Sequence, residues 1–75
     1  MFILTRRLPD GTEKTHGTPF TTLRAATVAA AYVLHDNRAA SKAEAQRFSV
    51  KLGAAARGEW VEHASGYAFR VDAGD

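Results

Sequence analysis

Apolar and polar positions in this 75-residue chain follow two rhythms, alternation near both ends and a helical repeat in the middle. Residues 2–8 (FILTRRL) form a short β-prone run, followed by Pro9-Asp10-Gly11 and the polar run 12–16 (TEKTH). Pro presets φ at a turn's second position, Asp suits the third, and Gly accepts the left-handed conformation after it. A three-residue loop with a bulge sets Leu8 opposite Thr12, Arg7 opposite Glu13, Arg6 opposite Lys14 and Leu4 opposite His16. Phe2, Leu4 and Leu8 then share the buried face, and Ile3, Thr5, Arg7, Glu13 and Thr15 share the other. Arg7 opposite Glu13 is a favourable cross-strand pair, whereas Arg6 opposite Lys14 is like-charged. These two long stems either reach water at the sheet's edge or hold an anion between them.

Between the ends the period changes. After a loop at 17–21, Thr21 or Thr22 can cap a helix over 23–35, in which Leu23, Ala26, Ala30, Val33 and Leu34 make one apolar stripe and Val28, Ala31 and Tyr32 widen it. Small side chains dominate, so another element can approach closely. Asp36-Asn37 ends the helix, with Asn37 the candidate for the left-handed position. Ser41-Lys-Ala-Glu44 has the form of a capping box, in which Ser and Glu satisfy each other's backbone donors. The second helix carries Ala45, Phe48, Leu52 and Ala55 on one face; Gly53 weakens its last turn and Gly58 closes the segment. The pattern predicts a small α+β domain, ββααββ, with an antiparallel sheet from two hairpins covered on one face by two helices. All 75 residues form one domain, with 73–75 expected to fray.

The tail, 58–71 (GEWVEHASGYAFRV), holds the one Trp and a second hairpin. Its turn is either Ser65-Gly66 or Ala64-Ser65-Gly66, and the choice shifts the register. A type I′ turn needs positive φ at both central residues and Ser suits the first poorly, so the three-residue form is preferred. In that form Trp60 faces Arg70, Val61 faces Phe69 and His63 faces Tyr67. Val61, Tyr67, Phe69 and Val71 point to the helices, while Trp60, Glu62, Ala68 and Arg70 line the open face. In the rival register Trp60 pairs with Val71 and is core.

Composition changes the picture little. A net charge of +2 from ten bases and eight acids permits an anionic partner without demanding one, although most bases lie between Arg6 and Arg57, with Asp72 and Asp75 in the tail. Without cysteine, a disulfide framework and a thiolate zinc site are both excluded. No apolar run is long enough to span a membrane, and a cytoplasmic setting is expected. Heavy use of Ala, Gly and Arg is common where coding DNA is GC-rich, and the architecture has the general character of a phage or plasmid accessory protein of a bacterium.

Candidate chemistry is sparse. His16, His35 and His63 lie on different elements without a second ligand at metal-pair spacing. His63 near Glu62 and Ser65 suggests a triad, but neighbouring strand residues point to opposite faces and no nucleophile-elbow sequence accompanies them. No catalytic residue, cofactor, metal or small-molecule substrate is expected. Of the basic set Arg24, Arg38, Lys42, Arg47, Lys51 and Arg57, the pair Arg47 and Lys51 shares one face of the second helix, a possible phosphate-contacting row. The expected function is therefore a small non-enzymatic module that binds DNA or RNA, with Arg7, Trp60 and Arg70 on the open sheet face, Arg47 and Lys51 as phosphate contacts, and Arg6 and Lys14 as a possible anion contact. The alternative is a protein-interaction module or homodimer.

Overall fold

The computed structural model describes residues 1–74. Its elements are β1 (Phe2–Arg7), β2 (Glu13–Thr15), α1 (Leu23–Asp36), α2 (Lys42–Ala54), β3 (Trp60–Glu62) and β4 (Ala68–Ala73). The strands form one antiparallel sheet in the order β2-β1-β4-β3, and the helices cover one face of it. The predicted ββααββ, α+β architecture is the one the chain adopts. The central pair carries the apolar side chains Leu4, Phe69 and Val71, all buried, while the edge strands are three residues each. Short edges limit the unpaired backbone that a sheet exposes.

Both turns close with the three-residue geometry. Gly11 and Gly66 have φ of 92° and 99°, and their N–H groups donate to Leu8 and His63 carbonyls at 2.9 and 3.0 Å. Glycine enters this left-handed region without steric cost, which is what fixes each register. Arg7 therefore lies opposite Glu13, Arg6 opposite Lys14, Trp60 opposite Arg70 and Val61 opposite Phe69. The turns nest side by side: a Cβ added to Gly66 would lie 3.0 Å from Pro9 Cβ.

Thr22 caps α1, its hydroxyl accepting from Ala25 N–H at 3.1 Å. Ala26, Ala30 and Leu34 face the core. The helix ends in a Schellman arrangement, with Ala39 N–H donating to Leu34 O (2.8 Å) and Arg38 N–H to His35 O (3.0 Å). The left-handed residue is Arg38 (φ 56°) rather than Asn37, whose side chain instead donates to Val33 O at 2.7 Å. Ser41 caps α2 by accepting from Glu44 N–H at 3.2 Å, but only half of the capping box forms. The Glu44 carboxylate takes the Ser41 hydroxyl hydrogen, 3.1 Å away, in place of a backbone N–H. Helix α2 stops at Ala54, before Gly58: Arg57 folds back to donate to the carbonyls of Gly53 and Ala55, and Gly58 (φ 83°) leads into β3. A cation at a helix C-terminus is electrostatically favourable.

The core joins Leu4, Ala26, Ala30, Leu34, Ala45, Phe48, Leu52, Val61, Phe69 and Val71. Phe48 and Phe69 meet with ring centroids 5.5 Å apart. The expected fraying of the tail does not apply to Ala73, which pairs with Phe2, or to Gly74, whose N–H donates to Met1 O at 2.7 Å; the remainder of that expectation concerns Asp75, outside the described residues. Among the described residues no helix is long and apolar enough to cross a membrane.

Candidate functional site

On the sheet face away from the helices, register brings Arg7, Trp60 and Arg70 together. Arg7 lies opposite Ala68, and Ala68 opposite Glu62, so the small side chain lets the Arg7 guanidinium reach across to Glu62 Oε1 at 3.2 Å. The same guanidinium lies 4.7 Å from the Trp60 ring centroid, and that of Arg70 lies 4.9 Å from it. Arg70 also pairs with Asp72 at 2.8 Å. Beneath this cluster Ala68 and Thr5 are 1% and 4% exposed although they face away from the main core. Trp60 is half-buried, a lid on a second small apolar layer.

This arrangement limits what the face can offer. Both arginines already hold a carboxylate and an aromatic ring, and with Glu13 the face carries two cations and three acids. A phosphate backbone approaching here meets charges that are neutralised locally. Glu62 is on this face as its register predicts. Asp72 was the missing partner, and its signal was visible: Arg70 and Asp72, two apart on one strand, share a face.

The helix layer has a groove on its outer side, a cavity of about 770 Å³ between α1 and α2. Val28, Tyr32 and Val50 stand in it 36%, 63% and 73% exposed, over a floor that includes Ala31, Ala45, Ser49 and Gly53. Val28 and Tyr32 thus face outward and do not widen the core stripe as their spacing suggested. The two helices run antiparallel, with Thr27 Cγ2 3.7 Å from the position of a Gly53 Cβ. Arg24 consequently marks one end of the groove, and Lys42 with His35 the other. Among the described residues no acid lines it, and neither Arg24 nor Lys42 is in an ion pair. The signal missed in the sequence was an apolar trio lying off the buried stripe beside two cations.

The remaining candidates are separate from these two surfaces. Arg47 and Lys51 are exposed and do not line the groove, and Arg38 and Arg57 serve helix ends. Arg6 and Lys14 lie on the helix-facing side of the sheet edge, beside His16. His63 and Ser65 do meet, but within the turn: the Ser65 N–H donates to His63 Nδ1 at 3.1 Å, and the hydroxyl lies 2.7 Å from the same nitrogen. Glu62 belongs to the opposite face with Arg7, so it does not orient that imidazole. Among the described residues no group of three or more His, Asp or Glu is placed to hold a metal ion.

Comparison with known proteins finds no match among family models, curated proteins or solved structures.

Proposed function

We propose that this chain is a non-enzymatic protein-binding module whose docking surface is the groove between α1 and α2, and that its partner is an acidic amphipathic helix. The observation that carries this is the groove itself: exposed apolar side chains between cations at both ends, with no acid among its described lining residues. Helix-in-groove recognition draws affinity from apolar anchors and orientation from charge. Arg24 and His35 are eleven residues apart on α1, about 16 Å at ~1.5 Å per residue, so a partner helix of about three turns places a carboxylate near each end. Exposed ion pairs of this kind contribute only about 0.2–1 kcal/mol each, which leaves most of the affinity to Val28, Tyr32 and Val50. A second copy of the chain fits the groove less well, since groove against groove sets cation against cation.

Titration of the labelled protein with a helical peptide carrying acids at both ends and Leu at i, i+4 and i+7 tests this by amide NMR. Shifts should map to Ala31, Ser49 and Gly53 and vanish with Val50→Glu. Shifts confined to the sheet face would refute the docking surface. Oligonucleotide binding that displaces the peptide and weakens steeply with salt would instead favour a nucleic-acid partner. A cytoplasmic setting accords with a cysteine-free chain.

A further inference from the structure

At the β2 edge, on the helix side of the sheet, Arg6 and Lys14 are directly opposed in the ladder. Like charges at opposing positions destabilise a strand pair, and the glycine-closed turn leaves this register no freedom to slip. Both side chains line one cavity of about 180 Å³, walled by Leu4 and Val33, with Thr15 and His16 at its margin. That space is enough for a tetrahedral oxyanion with solvent.

Charge in this cavity is of one sign. Among the described residues no acid lines it and neither Arg6 nor Lys14 forms an ion pair, unlike Arg7 and Arg70. Of the acids of the same hairpin, Asp10 accepts from Thr12 N–H at 2.8 Å and feels the Lys14 charge only as a minor influence without an ion pair, and Glu13 belongs to the other face of the sheet. The His16 ring packs on Phe20 with centroids 4.9 Å apart, and its backbone N–H donates to Leu4 O at 2.8 Å. The imidazole is thereby positioned, and among the described residues nothing hydrogen-bonds its ring nitrogens. Arg supplies a planar fork, Lys a compact point charge and His an N–H donor, a set suited to phosphate oxygens.

We propose that Arg6, Lys14 and His16 form a binding site for a phosphate group, either the free anion or the terminal phosphomonoester of a small molecule. Bound phosphate offsets the repulsion that the register imposes, so the like-charged pair becomes the recognition element. The site and the helix groove share no lining residue and lie on either side of α1, which contributes Val33 to the one and Tyr32 to the other.

The test follows amide NMR and thermal unfolding of the full chain at constant ionic strength, with chloride exchanged for inorganic phosphate or for phenyl phosphate. Saturable shifts at Arg6, Lys14, His16 and Gly17 are expected, with Tm raised by about 10 °C or more at a hundredfold excess over Kd. Lys14→Gln should be at least as stable as the wild type in chloride, because it removes the repulsion, yet should bind phosphate at least tenfold more weakly. Stronger binding of phenyl phosphate assigns the monoester, and binding of inorganic phosphate alone assigns the free anion. An equal phosphate-dependent rise in Lys14→Gln and wild type, or shifts spread equally over Arg47 and Lys51, would overturn the site.

Discussion

Replacing Trp60 by Ala tests whether the open sheet face is packed or free. A packed Trp buries about 150–250 Å². Half-buried Trp60 therefore removes on the order of 100 Å² from water, worth about 2.5 kcal/mol at ~25 cal/mol per Å². The guanidiniums of Arg7 and Arg70, at 4.7 and 4.9 Å from the ring centroid, add about 0.5–1 kcal/mol each. Both arginines keep their carboxylates in the variant and relax toward water, so the expected net loss is about 3 kcal/mol. That is a large part of the roughly 4–11 kcal/mol available to a chain of this length. At about 4–8 °C per kcal/mol, Tm should fall by about 12 °C or more. Far-UV circular dichroism in a urea series and a thermal scan measures the loss without relying on the removed fluorophore. Trp60→Phe, with a smaller ring over the same arginines, should lose less. In a double-mutant cycle with Arg7→Gln, the Phe variant should show weaker coupling than the parent. A loss below about 1 kcal/mol in Trp60→Ala would sink the argument, because a ring that light in packing is free to stack on a ligand.

Two further substitutions probe local conformation and charge. Arg38→Gly relieves a left-handed residue that costs about 1–2 kcal/mol, against about 0.5–1 kcal/mol of added chain entropy, so Tm should rise by a few degrees. A fall would mean that the Arg38 side chain contributes contacts which outweigh its strain. The Asp10 carboxyl is held below its ordinary value by the Thr12 backbone N–H and then the Thr12 hydroxyl. A depressed carboxylate contributes stability that is full above its unfolded pKa of about 3.9 and is lost as pH falls through the lower native value. The Tm difference between wild type and Asp10→Asn should accordingly be constant at neutral pH and shrink below about pH 4; a difference that stays the same into stronger acid would refute the assignment.

What the chain discloses locally, it discloses well. Gly11 and Gly66 each stand where a three-residue loop needs a left-handed residue, and from them both hairpin registers follow, including the outward placement of Trp60. Thr22 and Ser41 mark the helix starts because short hydroxyl side chains reach orphan N–H groups. Strand order was not legible, since pairing of β1 with β4 depends on residues at opposite ends of the sequence. The environment of Trp60 was half legible: Arg70 lies opposite by register, but Arg7 arrives from another hairpin through the strand order. Helical periodicity placed Val28 and Tyr32 beside the apolar stripe without saying which neighbour would cover them, and among the described residues they stay 36% and 63% exposed. Arg38 took the left-handed position because the Schellman bonds fix that place relative to the last turn, one residue beyond the Asn that composition favours.

The meeting of Met1 with Gly74 has a mechanical consequence. Strands β1 and β4 are antiparallel, and Phe2 pairs with Ala73, so both chain ends of the described domain leave the sheet at the same edge of its central ladder. Tension applied between them loads the rungs one after another from Phe2 toward Arg7, as a zipper is opened, and never in parallel shear. The chain should therefore yield at low force when drawn by its two ends, although its centre is where its core is most deeply buried.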